Sequence, residues 1–119
     1  MKYLHPFDRL ILSTRAFHDR FGTSQSTYEI LLKVMEEVGE VIEECFRPDG
    51  LVNRDSLARE SVDVMVTLIG LCNAAGISSD DLYNVMHQIA SKNDAKIPGK
   101  THDINPDTGK IERIKNGLS

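Results

Sequence analysis

The sequence predicts an all-α fold: an antiparallel four-helix bundle with an irregular C-terminal tail, assembled as an oligomer. Three observations lead there. Apolar residues recur every three or four positions through most of the first 95 residues, Gly, Pro and capping signals cut that stretch into four pieces, and beyond Lys96 the periodicity stops. With 119 residues, 40% apolar and 27% charged, the chain has the size and make-up of a single globular domain over residues 1–119.

The first helix is expected over residues 6–21, from Phe7, Leu10, Ile11, Ala16 and Phe17, with Gly22 after its last turn. Ser26 to Glu29 has the Ser-x-x-Glu form of a capping box, and Tyr28, Leu31, Leu32, Met35, Val38, Ile42 and Cys45 then mark the apolar stripe of a second helix over about residues 27–46. Arg47, Pro48, Asp49 and Gly50 break the pattern, and Asp55 is placed to cap a third helix over residues 55–75, ended by Gly76. A second capping box, Ser78 to Asp81, opens a fourth helix over residues 79–95, with Leu82, Val85, Met86 and Ile89 as its core stripe. In the tail, residues 96–119, turn residues surround a short strand expected at residues 110–114, so the tail is expected to be a loop or a small hairpin. The third helix is apolar on more faces than one four-helix layer covers, so some of Val66, Ile69, Leu71 and Ala75 are candidates for contact with another chain or for burial by the C-terminal tail.

Composition removes several classes of function. A net charge of -4 argues against a binder of nucleic acid polymers, which needs surplus Lys and Arg against phosphates. No secretory leader is legible near the start, and the longest apolar stretch, residues 64–75, is too short to span a bilayer, so a cytoplasmic protein without a membrane partner is expected. Cys45 and Cys72 lack redox or zinc spacing and read as buried free thiols.

The charge pattern of the second helix is unusual. Glu36, Glu37, Glu40, Glu43 and Glu44 fall within nine residues, and only Glu43 has a cation, Arg47, four positions later. Like charges four apart cost a few tenths of a kcal/mol each (~0.2–0.5). Such a run on its own is as well explained by a plain solvated face. The third helix shifts the balance, because Glu60 and Asp63 stand at i and i+3, with Asp63 inside the apolar run Val62, Val64, Met65, Val66. An aspartate there is expected to be buried and to need a partner, either an ion pair with Arg59 or Arg9 or a metal ion. If the second and third helices are antiparallel neighbours, Glu40 and Glu60 each lie about six residues, roughly 9 Å, from the connecting turn. That sets Glu40 level with Glu60 and Glu37 level with Asp63. Four carboxylates converging in this way offer hard oxygen ligands suited to Mg²⁺ or Mn²⁺. Polyphosphates are the natural substrates of such a site, with Glu36 or a ligand-side carboxylate as base toward water.

The series Glu36-Glu37-Val38-Gly39-Glu40, nineteen intervening residues, then Glu60-Ser61-Val62-Asp63 resembles the EExxE plus ExxD signature of the MazG-like all-α nucleoside triphosphate pyrophosphohydrolases. Residues 16–22 resemble the first-helix segment of a short single-domain branch related to phosphoribosyl-ATP pyrophosphohydrolase. The resemblance implies Mg²⁺ held by Glu37, Glu40, Glu60 and Asp63, with Glu36 assisting metal binding or water activation. It also implies cleavage of (deoxy)nucleoside triphosphates to the monophosphate and pyrophosphate. Lys92, Asn93 and Lys96 would contact phosphates or sugar, though family members more often carry Arg where Lys96 stands, and a basic helix end satisfying its own dipole explains them equally. His18 would line a nucleobase pocket if it is not simply structural, and the assembly would be a homodimer or a dimer of dimers. His87 and His102 have no metal-ligand spacing and receive no role. Two other readings stay open: hydrolysis of phosphoribosyl-ATP, and a non-catalytic helical dimer that binds metal or a partner through its acidic face.

Overall fold

A computed structural model of the chain describes residues 5–21 and 26–115; Gly22, expected to end the first helix, lies outside them. The described residues form four helices, α1 (Pro6–Phe21), α2 (Thr27–Cys45), α3 (Arg54–Ala74) and α4 (Ser79–Asp94), and two short strands, β1 (His102–Ile104) and β2 (Ile111–Arg113). Two compact units divide the chain between Ser79 and Asp80.

In the first unit α3 is the central element, packing along α2 and more briefly against α1. The local chemistry sets the helix ends. Ser26 adopts extended backbone and its Oγ accepts from the Glu29 N–H at 3.2 Å, as its capping box requires. The cap of α3 is Asn53, whose Oδ1 accepts from the Ser56 N–H at 3.1 Å, and not the expected Asp55. Asp55 lies in the first turn, two residues after the cap, where its charge suits the helix N-terminus and it pairs with Arg59 Nε at 2.9 Å. At the other end of α3, Gly76 takes φ +79 and donates to Asn73 O, and Ile77 N–H reaches back to Cys72 O at 2.9 Å. That is the Schellman arrangement expected of a glycine just past a helix.

The core of this unit is small: Ile11 and Thr14 of α1, Ile30, Val34 and Glu37 of α2, and Ile69 and Gly70 of α3. Thr14 is admitted because its hydroxyl donates to Leu10 O at 2.8 Å. Gly70 admits the His18 ring, since a Cβ there would lie 2.7 Å from His18 Cε1 and the imidazole would have to shift. Arg15 Nη2 donates to Ile77 O at 2.7 Å, tying α1 to the chain leaving α3.

The inward face of α2 is the reverse of the expected one. All seven residues of the predicted stripe, Tyr28, Leu31, Leu32, Met35, Val38, Ile42 and Cys45, are exposed, and the buried line is Ile30, Val34 and Glu37. Both lines repeat at helical spacing, and α3 takes the one that carries carboxylates. Cys45, expected to be buried, is exposed with that outer stripe, and Cys72 is half-buried. Ile69, a candidate for contact with another chain, is instead 5% exposed in the core of its own chain.

In the second unit α4 has no buried residue, and Val85 and Ile89 of its expected core stripe are exposed. The tail takes the second of its two expected forms, a small hairpin: β1 and β2 pair antiparallel, His102 opposite Arg113 and Ile104 opposite Ile111. Gly109 turns it with φ +71 and donates to Asn105 O at 2.8 Å.

The position of the α3 cap is open to direct test. Asn53→Ala is expected to lower stability by about 1 kcal/mol, whereas Asp55→Ala removes an exposed ion pair and a favourable first-turn charge and is expected to cost less, about 0.5 kcal/mol. Urea unfolding of the two variants checks the ranking, and the reverse order would place the cap at Asp55.

Candidate active site

The site grows from the buried line of α2. Glu37 follows Val34 by three positions, so the packing that buries Ile30 and Val34 carries its carboxylate inward, to 8% exposure. There one oxygen each of Glu37, Glu60 and Asp63 lies within 4.8 Å of the others. Glu40, one turn beyond Glu37, is in hydrogen-bonding reach of Glu60 and of Glu37. The structure therefore brings together three of the four carboxylates predicted as metal ligands, Glu37, Glu60 and Asp63, with Glu40 beside Glu60 and outside that trio.

Their burial is distributed differently from expectation. Asp63, read as buried among Val62, Val64 and Met65, is exposed, and Val62 and Met65 are exposed with it. An aspartate flanked by apolar residues on an outward face has no desolvation to offset, so the apolar flanks were not a sign of burial. Nor does an ion pair explain Asp63: Arg59 is engaged with Asp55, and among the described residues no cation lies within bridging distance of the Asp63 carboxylate.

The cation that the sequence reading missed is Lys33. Its Nζ lies 3.3 Å from Glu37 Oε1 and 3.5 Å from Glu36 Oε2, and the bond to Glu37 followed by the charge of Glu36 raises the lysine above its ordinary range. The same i, i+4 rule read toward the N-terminus identifies it. Similarly, Arg47 pairs with Glu44, three positions before it at 3.6 Å, and not with Glu43.

Even with Lys33 the cluster is under-neutralised. Glu37 Oε2 and Glu60 Oε2 are both buried without any hydrogen-bond donor. Leaving such oxygens unpaired costs upwards of about 1–3 kcal/mol each. Sharing a hydrogen bond with Glu60, and the charge of Glu60, push the Glu40 carboxyl above the usual glutamate range, with Glu36 adding to the effect. Orphaned oxygens in a set made only of carboxylates fit a hard divalent cation.

Beside this cluster, a cavity of about 450 Å³ is lined by Phe17 and His18 of α1, Ile30, Lys33 and Glu36 of α2, and Gly70 of α3, among others. His18 stacks at a tilt against Phe17, with ring centroids 5.8 Å apart. Glu36 is thus outside the trio but joined to it through Lys33, and it faces the space that His18 lines. Lys92, Asn93 and Lys96 belong to the second unit. Lys92 and Lys96 line one concavity near the end of α4, and Asn93 and Lys96 another.

A carboxylate cluster across two helices, with orphaned buried oxygens and an adjoining cavity, makes a candidate divalent-cation site of the kind suited to phosphate esters and anhydrides. The chain belongs to the phosphoribosyl-ATP pyrophosphohydrolase family, whose sequence profile matches residues 7–93. That family lies within the MazG-like all-α nucleoside triphosphate pyrophosphohydrolase superfamily, so the chain is a pyrophosphohydrolase, a hydrolase of phosphoric anhydride bonds whose family generally uses divalent metal ions. Neither a curated protein nor a solved structure matches it. Among the described residues no helix is long and apolar enough to cross a membrane.

The raised Glu40 carboxyl has a signed consequence for the metal-free protein. A carboxyl that binds its proton more tightly folded than unfolded contributes stability below the ordinary glutamate pKa, about 4.3, and loses it as pH rises through the raised value. In EDTA, the melting temperature of the wild type is therefore expected to fall relative to that of Glu40→Gln as pH climbs from about 4 toward neutrality. Parallel curves for the two proteins would contradict the coupling of Glu40 to Glu60.

Proposed function

We propose that the chain hydrolyses (deoxy)nucleoside triphosphates to the nucleoside monophosphate and pyrophosphate, with Mg²⁺ as the cofactor and Mn²⁺ able to replace it. The observation that carries this reading is the convergence of Glu37, Glu60 and Asp63 within 4.8 Å, with Glu40 against Glu60. These four would hold the ion; a bound cation neutralises polyphosphate charge and makes an attacking water more acidic.

The chain's own groups then divide the remaining work. Glu36 takes a proton from the attacking water as the new oxygen–phosphorus bond forms and the anhydride bond breaks, and the electron pair leaves with the departing phosphate group. Lys33 holds that carboxylate at the cavity edge, 3.5 Å from its Nζ. Phe17 and His18 offer a ring surface against which a base can lie. Lys92, Asn93 and Lys96 would contact phosphates or sugar. The adjacency of Glu40 with Glu60, and of Glu37 with Asp63, favours α2 and α3 as antiparallel neighbours, with the four helices completed as a bundle in a homodimer or dimer of dimers. The outward stripe of α2 supports such an assembly, because burying a residue such as Leu32, Val38 or Ile42 contributes about 1.5–3 kcal/mol. The profile match, residues 7–93, runs across both compact units and supports reading the chain as one functional domain.

A second reading has equal support from the family description itself: phosphoribosyl-ATP as the substrate, cleaved by the same carboxylates. Incubating the purified protein and Mg²⁺ with a panel of nucleotides and phosphoribosyl-ATP, and measuring pyrophosphate release, distinguishes the two. A protein that releases none, yet is stabilised by Mg²⁺, would be the non-catalytic binding module.

Asp63→Asn and Glu60→Gln are each expected to slow pyrophosphate release by at least about 100-fold. Unchanged rates would remove the carboxylate cluster from the mechanism. Sedimentation of Val38→Glu and Ile42→Glu variants is expected to show smaller species than the wild type.

A further inference from the structure

The concavity where α4 ends against the hairpin includes Lys92 and Lys96, placed above against phosphates or sugar, together with two cations to which that reading gives no role, Lys100 and Arg113, and its lining is chemically one-sided. Lys92, Lys96, Lys100 and Arg113 surround about 430 Å³ together with Thr101 and His102, and no carboxylate is among the lining residues. Among the described residues none of these four cations has an ion pair; Lys96 Nζ finds only the amide oxygen of Asn93, at 3.3 Å. A helix C-terminus accounts for Lys92 and Lys96, whose charges oppose its dipole. It does not account for Lys100 or Arg113, which lie beyond the helix.

Those two are placed by a tight loop. Ile97 O accepts from the N–H groups of Lys100 and Thr101 at 3.1 and 2.9 Å, while Ile97 N–H donates to Thr101 Oγ1 at 2.7 Å. Gly99 supplies the turn with φ +74. Ile114 N–H donates to Thr101 O at 2.8 Å, locking the loop to the residue after Arg113. Arg113 stands directly opposite His102 across the hairpin, so their side chains share a face. A loop this constrained holds Lys100 and Arg113 on the same hollow as the two α4 lysines, an arrangement disfavoured by charge repulsion unless an anion enters.

We propose that this hollow is a binding site for a phosphate-bearing anion, with Lys100 and Arg113 as its defining residues. Arg113 supplies a planar fork for two phosphate oxygens, and the lysines supply point charges around it. Residues 100 and 113 fall outside the profile match, which ends at residue 93. Binding at this hollow requires neither the carboxylate cluster nor turnover, so it holds or fails independently of the substrate proposed above. The phosphate belongs either to the nucleotide substrate or to a separate anion.

The test uses the full chain in EDTA, titrated with inorganic pyrophosphate while backbone amide resonances are followed. Saturable shifts are expected at Lys100, Thr101, His102, Arg113 and Ile114, and their absence in the wild type would overturn the proposal whatever any variant does. Lys100→Gln combined with Arg113→Gln is expected to weaken pyrophosphate at least about 10-fold, with Lys100→Arg and Arg113→Lys together restoring it. Undiminished binding in the Gln pair would equally overturn the site. With binding established, a rise in nucleotide KM at constant kcat in the Gln pair assigns the phosphate to the substrate. An unchanged KM assigns it to a separate anion.

Discussion

Everything in the first unit is arranged around a charge problem: a glutamate, Glu37, is packed into the seam between α2 and α3 opposite two more acids. The apolar pair Ile30 and Val34 drives that packing, and the helical period then leaves Glu37 no outward position. With three carboxylate oxygens within 4.8 Å and one lysine to answer them, the fold concentrates negative charge at a seam that buries Glu37 and leaves Asp63 exposed. Separating them would mean unpacking Ile30 and Val34 from α3, so hydrophobic burial holds the carboxylates together against their own repulsion. A protein that retains such an arrangement trades stability for affinity toward cations.

Division of labour follows from which acid is buried. Glu37 and Glu60 each present an orphaned, buried oxygen, whereas Asp63 is open to solvent. The buried pair fixes the geometry, and the exposed aspartate gives access from outside. Glu36, one residue along the helix from Glu37, points about 100° away and meets the cavity instead of the cluster. Adjacent residues in sequence thus serve different surfaces, and Lys33 spans both because its long side chain reaches the third and fourth residues ahead of it.

Much of this was legible in the sequence, and the parts that were not have identifiable reasons. The helices lie within a residue or so of where periodicity and caps put them, and three acids of the two i, i+3 pairs, Glu37, Glu60 and Asp63, converge. The inward face of α2 was not legible, because Ile30 and Val34 form a second apolar line that is shorter than the outer one. The longer line, from Tyr28 to Cys45, is not buried by this chain, and sequence cannot say which of two apolar faces a neighbour will cover. The burial of Asp63 was inferred from its neighbours in sequence, which on a helix point elsewhere. Asn53 and Asp55 are both competent caps two residues apart, and only the backbone conformation at Asn53 decides between them. Lys33 was overlooked because partners for the acids were sought only toward the C-terminus.

Gly70 separates two properties that share one helix. It stands seven residues from Asp63, about 10 Å along α3, and its bare Cα is what lets the His18 ring sit where it does. A larger residue there would reshape the hollow beside the imidazole while the acids two turns away kept their places. The side chain at a single helical position therefore governs the shape of the hollow independently of the spacing of the carboxylates.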